Sequence, residues 1–510
     1  MNNLQQRIKS YGIDTITLLF SVCSVILVAG LILWDSNLAK MLIEESYSSV
    51  VENFGSSYLI LTLFSFFFLI IISLSKYGNY ILGGTNSYPE FTYFSWIGML
   101  FCSGIGGGII YWSGVEWAYY VEIPQFDIEP YSQESYSLAT AYGLFHWGIS
   151  AWSIYGIPAI ALSIAFYKYK LNSLRLSSSL KGLGFVEIES SIFGRFIDLI
   201  FILATVGAAG GTIGSYIPML SSGFTSLLNI NNGLHIDIGV ILLCVGLFGF
   251  SVYKGLNKGI KNLSNLNLTL ALVFICLIIF ASDFQELINS SFLGIKFSIV
   301  YFWEMSTLGL SEPSDFAKEW TIFYWAWWVA FGPLVGLFIA RISKGRSLRQ
   351  VILGMLIFGT LGTWLFYLVL GGYSMNSEMN NELGVIQSMK EIGHAETAIS
   401  VIKSLPLNTV MLTIFCVITI VFITTSYDSM SYVISSHVLK TRGNVREPHK
   451  NLRLFWAIVL GVLPAVLVLY SDHSVALDLI LITSLPLLFI YPLMAVSIIR
   501  ELSKTEQVYE

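Results

Sequence analysis

Charged residues are scarce in this chain. They make up 12% of its 510 residues, about half of what a soluble protein carries. The charges are also grouped, with apolar runs between them, and 55% of all residues are hydrophobic. We therefore expect no soluble domain and no nucleic-acid partner.

Residues that build metal or catalytic sites are also few. The five cysteines lie in apolar stretches without CxxC spacing, so neither a disulfide framework nor a zinc site is expected. His146 is the only histidine within the central spans, and no Ser-His-Asp pattern accompanies it. We interpret His146 as a hydrogen-bonded core residue and expect that the protein is not an enzyme.

Long apolar runs separate the groups of charged residues. Twelve of them can cross a bilayer core of roughly 30 Å, beginning near residues 13, 57, 93, 137, 196, 236, 264, 320, 350, 406, 453 and 474. The first run, 13–33, is too long for the apolar part of a signal peptide and lacks a small-residue cleavage site. The sequence therefore predicts an all-α protein of the cell membrane with twelve transmembrane helices.

The basic residues fall on one side of the membrane if the N-terminus is cytoplasmic. All but five of the 27 lysines and arginines then lie in cytoplasmic segments, as the positive-inside rule requires. The five outside are Lys40, Lys296, Lys318, Lys390 and Lys403. We therefore predict that both termini are cytoplasmic.

Two spans carry helix-breaking residues near the membrane midplane. Span 3 contains a glycine run that includes Gly104, Gly106 and Gly108, and span 8 contains Gly332 followed by Pro333. Irregular backbone at this depth is tolerated where it lines a cavity, and breaks five spans apart are typical of inverted repeats. The alternative is that these glycines only permit close helix packing.

These breaks predict how the chain is organised. Residues 1–90 form an added helix pair, and residues 91–285 form the first inverted repeat, spans 3–7. Residues 286–319 form an outer loop with a surface helix. The second repeat, spans 8–12, covers residues 320–500, and a short cytoplasmic tail covers residues 501–510.

Tryptophan and tyrosine crowd spans 4 and 8. Trp147, Trp152 and Tyr155 share one side of span 4. An interfacial belt accounts for Trp112 and Trp117 but not for tryptophans away from the span ends. Clustered aromatic faces attract a cation, and quaternary ammonium is the usual guest. The sequence therefore predicts an aromatic box.

Acidic residues within the spans are too few to neutralise a bound cation. We place Glu116 toward the outer end of span 3, and we interpret Asp428 as a structural hydrogen-bonding partner near a helix end. Without a carboxylate at the box, a zwitterion is the better guest. Its own carboxylate would be held by backbone N–H groups of an unwound helix. A secondary transporter fits these features. A membrane sensor would need a soluble output domain, which we do not expect in this chain.

Several motifs resemble the betaine/choline/carnitine transporter family. They are "FYWAWW" followed by "ARISKGR", "FHW" with Trp152 and Tyr155, and "TTSYDS", and the resemblance covers about residues 10–500. It implies a leucine-transporter-like inverted repeat, alternating access and a homotrimer. By position it implies a substrate box of Trp147, Trp152, Tyr155 and Trp328.

The same resemblance assigns further residues to the substrate pathway. Trp325 and Trp327 match aromatics of the pathway, and Phe331 stands where some members have tryptophan. Tyr119 matches a tyrosine that contacts substrate in the carnitine exchangers. The glycine run resembles that of the sodium-coupled betaine carriers, and Gly108 stands where the choline branch tends to carry an acid.

A co-transported sodium ion is the third implication, with no organic cofactor. Thr425 and Ser426 match the hydroxyl pair of sodium-coupled members. Asn267 and Val335 stand where the exchangers carry an arginine and a methionine that replace the ion. The other candidate ligands are Cys102, Ile105 and Phe422, with Thr212, or less directly Thr205, for a second site.

Two questions stay open at this point. Sodium-independent exchange of carnitine or γ-butyrobetaine and proton-coupled uptake are alternatives to sodium symport. Glycine betaine, carnitine, γ-butyrobetaine and dimethylsulfoniopropionate all fit an aromatic box.

Overall fold

The computed structural model describes residues 12–104, 106–171, 175–185, 187–254, 257–311, 313–440, 448–470 and 473–506. Over these residues the chain is helical, with two isolated β-bridges and no β-strand. The α-helices are α1 (Thr15–Trp34), α2 (Ser36–Leu74), α3 (Tyr93–Gly104), α4 (Gly107–Trp112), α5 (Trp117–Glu122), α6 (Gln133–His146), α7 (Ile149–Lys168), α8 (Ile192–Leu228), α9 (Leu234–Lys254), α10 (Asn257–Ala281), α11 (Phe284–Val300), α12 (Phe302–Thr307), α13 (Ile322–Ile342), α14 (Leu348–Gly354), α15 (Thr360–Phe366), α16 (Gly372–Met379), α17 (Val385–Glu391), α18 (His394–Ser404), α19 (Asn408–His437), α20 (Lys450–Tyr470) and α21 (His473–Glu506). Short π-helical segments cover Ala317–Thr321, Met355–Gly359 and Tyr367–Gly371, and 3-10 segments cover Lys76–Asn79, Leu176–Leu183 and Ile188–Ser190.

Ten helical stretches among the described residues are long and apolar enough to cross a membrane. The pair α10 and α11, bent by 112°, raises the number to eleven if it counts as one span. The prediction of an all-helical, multi-span membrane protein is confirmed. The count differs from twelve at two places: span 3 is divided into two short helices, and α10 turns sharply into α11, which packs along α6.

Segments predicted to lie on the same side of the membrane contact one another. The predicted cytoplasmic segments are joined by a β-bridge and a 2.7 Å ion pair, and predicted outer segments are joined by another ion pair. These contacts join Ile13 to Leu439, Lys168 to Glu501 and Glu122 to Lys390. Which end faces the cytoplasm stays a prediction.

The predicted break in span 8 is wrong. Helix α13 is continuous, with Pro333 inside it. Proline has no N–H for the carbonyl four residues earlier, and the Tyr491 hydroxyl donates to that carbonyl, Val329 O, at 3.3 Å. A Cβ at Gly332 would collide with the Tyr491 hydroxyl, and one at Gly336 would lie 2.8 Å from the backbone of α7. The glycines therefore permit close packing of α13, which was the alternative interpretation.

The predicted break in span 3 is confirmed, and span 4 contains a second break. Gly106 has extended backbone angles between α3 and α4 (φ −117°, ψ 172°). In span 4, helix α6 ends at His146 and α7 begins at Ile149, so Trp147 lies in the interruption. The Thr363 hydroxyl donates to the Trp147 carbonyl at 2.5 Å, which satisfies a group that the interrupted helix leaves free. The division into inverted repeats stays a prediction.

Candidate functional site

Trp328 is the centre of a cluster of four aromatic rings. Its ring centroid lies 5.7 Å from that of Trp147, 5.8 Å from that of Trp152 and 4.5 Å from that of Tyr155. Three of the four side chains are buried, and Tyr155 is half-buried. The structure thus brings together the four residues that the resemblance assigns to the substrate box.

Close helix packing positions these rings. The glycine contacts of α13 bring Trp328 against α7, which carries Trp152 and Tyr155. On the far side of Trp152, a Cβ at Gly359 would lie 2.6 Å from the indole ring. The break between α6 and α7 places Trp147 just before α7, where its ring also contacts Trp328.

The broken segment of span 3 forms one wall beside Trp147. A Cβ at Gly108 would lie 2.8 Å from the outer edge of the Trp147 ring. A Cβ at Gly106 would meet no atom within 4 Å. Gly104 is the last residue of α3, and Ile105 lies outside the described residues.

The remaining tryptophans of α13 point in different directions. The Trp327 ring lies 6.2 Å from Trp147, so Trp327 borders the cluster. Trp325 instead contacts Phe145 and His146, with centroid distances of 5.2 and 5.8 Å. None of its ring contacts within the described chain reaches the cluster of four rings.

One face of α13 leads away from the cluster and becomes gradually more exposed. Phe331 and Val335 follow Trp328 on the same helical face and are half-buried. Phe338, further along that face, is 40% exposed.

A second aromatic layer lies beyond Trp327, toward the predicted outer side. Tyr119 packs on Trp320 at 4.7 Å, and its hydroxyl lies 3.3 Å from His394 Nδ1. The His394 ring stacks on Tyr111 at 4.1 Å and contacts Trp112 at 4.7 Å. Tyr119 therefore belongs to this outer layer, with no ring contact to the four-ring cluster among the contacts of the described residues.

The interfacial-belt interpretation of Trp112 and Trp117 is wrong. Both side chains are 4% exposed, and the Trp117 indole N–H donates to the Ser374 hydroxyl at 2.8 Å. Their short helices, α4 and α5, are folded into the protein instead of ending at its surface.

Glu116 lies directly behind the box, a position that was not predicted from the sequence. It is fully buried in the turn between α4 and α5. The Trp147 indole N–H donates to its Oε2 at 3.3 Å, and the Tyr324 hydroxyl donates to the same oxygen at 2.6 Å. Tyr367 also donates to Oε2, and Tyr120 donates to Oε1 at 2.7 Å. The expectation that no carboxylate lies near the box is therefore wrong. The order of residues along the chain does not reveal this contact, because the donors come from separate helices.

His146 and Asp428 have the structural roles expected of them. His146 Nδ1 lies 3.1 Å from the Tyr120 hydroxyl, and His146 Nε2 lies 3.1 Å from the Thr321 hydroxyl. Asp428 pairs with Arg453 at 3.0 Å. Both are satisfied by neighbouring side chains.

The candidate sodium ligands lie on elements that meet at the broken span. Helix α4 contacts both α8, which carries Thr212, and α19, which carries Thr425. The Thr425 hydroxyl donates to Val421 O at 2.9 Å, and the Thr212 hydroxyl donates to Ala208 O at 2.7 Å. Both threonines thus bond to their own helix, the common arrangement.

The other candidate ligands differ in exposure. Ser426 is exposed, whereas Cys102 and Phe422 are half-buried. Thr205 is buried and donates to Phe201 O at 2.8 Å. The described residues hold no cluster of three or more His, Cys, Asp or Glu side chains suited to a metal ion.

Asn267 is an unusual residue of α10. Its side chain is only 2% exposed, yet neither polar atom of its amide has a hydrogen-bond partner among the described residues. An unpaired buried amide is costly.

Comparison with known proteins gives consistent results. The sequence model of the BCCT, betaine/carnitine/choline family transporter, matches residues 16–507. The chain is 32% identical over 414 residues to a protein of Acinetobacter baumannii named "Carnitine transporter", covering 80% of this chain and 74% of that protein. It is 30% identical over 471 residues to the "Ectoine/hydroxyectoine transporter" of Virgibacillus pantothenticus, covering 91% of each. It is also 30% identical over 427 residues to the "Uncharacterized transporter YeaV" of Escherichia coli (strain K12), covering 83% of this chain and 88% of that protein.

Proposed function

The chain belongs to the betaine/carnitine/choline transporter family, and we propose that it is a sodium-coupled symporter of a zwitterion with a trimethylammonium or sulfonium group. The observation that supports this best is the packing of Trp147, Trp152 and Tyr155 around Trp328. A bare charge at the bilayer centre costs at least about 2.5–3.5 kcal/mol. Two or three rings at about 2 kcal/mol each offset that cost.

The glycine segment of span 3 supports the zwitterion half of the proposal. Gly106 is extended and has open space at its Cβ position, while Gly108 contacts the Trp147 ring. Backbone N–H groups of this unwound segment would hold the substrate carboxylate. A trimethylammonium group on the rings and a carboxylate on the backbone would account for both charges of the guest.

Alternating access is supported by the unequal closure of the two sides. Toward the predicted outer side, Trp327 and then the layer of Tyr111, Trp112 and His394 cover the box. Toward the other side, the face of α13 that continues from Trp328 becomes exposed. We propose that a substrate at the box leaves along this face, toward the side predicted to be cytoplasmic.

The proposal for sodium rests on chemistry near the broken span. Sodium prefers oxygen ligands such as helix carbonyls and hydroxyls at an unwound segment. Thr425 and Thr212 lie on α19 and α8, which both contact α4. Asn267 and Val335 carry no positive charge that could replace the ion. Sodium-independent exchange and proton-coupled uptake remain the alternatives to be tested.

Relatives widen the list of substrates to be tested. Two relatives with similar identity to this chain differ in their named substrates. One is named for carnitine, and the other is named for ectoine and hydroxyectoine. Glycine betaine and carnitine carry the trimethylammonium group that an aromatic box prefers, so we propose them first.

We also propose a homotrimer in the cell membrane with both termini cytoplasmic.

Uptake into proteoliposomes tests the function. Labelled glycine betaine, carnitine, γ-butyrobetaine, dimethylsulfoniopropionate and ectoine are each supplied with an inward sodium gradient, with a proton gradient, or with neither. We expect sodium-driven accumulation of a trimethylammonium or sulfonium zwitterion. Accumulation driven by protons alone would refute the coupling, and transport of ectoine alone would refute the substrate class.

A further inference from the structure

We propose that Glu116 is a positioning residue of the aromatic box, which holds the Trp147 indole at the angle that a cationic group requires. Trp147 lies outside regular helix, in the interruption between α6 and α7. Helix geometry therefore does not fix its direction, and other contacts must do so. The inference rests on the proposed function, because it gives Glu116 a role in binding the substrate of that function.

Two hydrogen bonds hold Trp147 from opposite ends. Its carbonyl accepts from the Thr363 hydroxyl at 2.5 Å, and its indole N–H donates to Glu116 Oε2 at 3.3 Å. The first bond fixes the backbone, whereas the second fixes the plane of the ring. Glu116 is the only carboxylate that this N–H contacts among the described residues, and it acts together with the rings of Trp328 and Tyr367 that pack against the indole.

The carboxylate is itself held in place by three tyrosines. Tyr120, Tyr324 and Tyr367 donate their hydroxyl protons to Glu116 from α5, α13 and the π segment of span 9. Because a carboxylate only accepts hydrogen bonds, four convergent donors suit its ionised form. Its position is therefore determined by three separate elements.

The proton positions around Glu116 are mutually consistent. Tyr120 donates to Glu116, so it accepts from His146 Nδ1–H, and the neutral His146 then accepts from Thr321 through Nε2. Glu116 makes no salt bridge within the described part of the chain. The carboxylate is thus stabilised by polar donors behind the ring and does not face the box directly, which is compatible with a zwitterionic guest.

Ring orientation matters for a cation and much less for an apolar group. The cation attraction arises from the quadrupole and needs the ring face, whereas apolar contact needs only nearby carbon. Loss of the Glu116 bond should therefore weaken binding of trimethylammonium compounds selectively. A purely structural role would weaken binding of both kinds of ligand equally.

The experiment measures Kd for glycine betaine and for tert-butylacetate, in which carbon replaces the ammonium nitrogen, with carnitine measured in parallel. We expect Glu116→Met, which has no acceptor oxygen, and Glu116→Asp each to reduce the preference for glycine betaine over tert-butylacetate about tenfold, which corresponds to most of one cation–ring contact. Glu116→Asp keeps the charge but withdraws it from the indole, so it separates positioning from charge. If one variant does not fold, the other still decides the outcome.

Two further variants complete the test. Tyr367→Phe keeps its ring and removes only one of the three hydroxyls that hold the carboxylate, so the preference should fall less than in the Glu116 variants. In a Trp147→Phe background, which has no indole N–H, Glu116→Met should change the preference by less than about twofold, since the two residues act as a pair.

Three outcomes would overturn the inference: an unchanged preference in folded Glu116 variants, an equal fall in Tyr367→Phe, or a full tenfold fall in the Trp147→Phe background. If the unmodified protein shows no preference for glycine betaine or carnitine over carbon isosteres, the proposed function fails first. If that preference exists and Glu116 does not affect it, only the inference about Glu116 fails.

Discussion

Replacement of Trp328 by leucine tests the box most directly, because three other rings surround Trp328. Its centroid lies 4.5–5.8 Å from the rings of Tyr155, Trp147 and Trp152. Leucine keeps apolar contact but removes the quadrupole, which is worth about 2 kcal/mol for a desolvated cation. Since each 1.4 kcal/mol corresponds to tenfold in affinity, Kd for a trimethylammonium zwitterion should rise about thirtyfold.

Trp325→Leu is the matched control for this experiment. Trp325 lies on the same helix and is equally buried, but it contacts Phe145 and His146 on another side of α13. Both substitutions remove a buried indole and should lower stability by less than the about 3–5 kcal/mol typical of aromatic-to-alanine changes in cores. Only Trp328→Leu should weaken binding by more than about threefold.

Isothermal titration of the purified variants with glycine betaine and carnitine, at one fixed sodium concentration, measures these effects. Thermal unfolding of the same samples reports the loss of stability. Equal losses of affinity in the two variants would show that the effect comes from disturbed packing. Unchanged affinity in Trp328→Leu would remove the box from the mechanism.

Three other predictions concern charge selectivity and ion coupling. Gly108→Asp places a carboxylate next to the Trp147 ring, which must shift slightly because the added Cβ would lie 2.8 Å from it, so uptake of cationic choline should appear and zwitterion uptake should fall. No choline uptake by the folded variant would show that Gly108 does not line the cavity. Thr425→Ala combined with Ser426→Ala should abolish or strongly weaken sodium stimulation in proteoliposomes, because it removes the hydroxyl ligands. Stimulation at the level of the unmodified protein would contradict the site. Asn267→Arg places a fixed cation at a buried, unpaired amide and should relieve sodium dependence while exchange continues. Uptake that still requires the gradient would refute this role.

The residue types of the box could be recognised from the sequence, but their grouping required the fold. Trp147, Trp152 and Tyr155 were expected to share one side of a continuous helix. In the structure, Trp147 lies in an interruption before α7, and the three rings meet because each contacts Trp328. The three rings do lie together, but the reason is their shared contact with Trp328 and not a shared side of one helix.

The errors concern partners that are distant along the chain. Gly332 and Pro333 indicate a break by local rules, yet the hydroxyl of Tyr491 satisfies the Val329 carbonyl and α13 continues. Glu116 was placed near a span end because its position in the run does not reveal its donors. These donors include Tyr324 and Tyr367, which come from the second half of the chain.

The sequence by itself determined that this protein lies in a membrane, that span 3 is interrupted, and which aromatic residues are available to form a cluster. Those properties follow from composition and local backbone preference, which act over a few residues. Only the tertiary structure decided that Trp325 faces away from the box, that Tyr119 belongs to an outer layer with His394, and that a carboxylate lies behind Trp147. Each of these depends on how far one helix is rotated and shifted against another, and that is set by packing contacts between residues far apart in the chain.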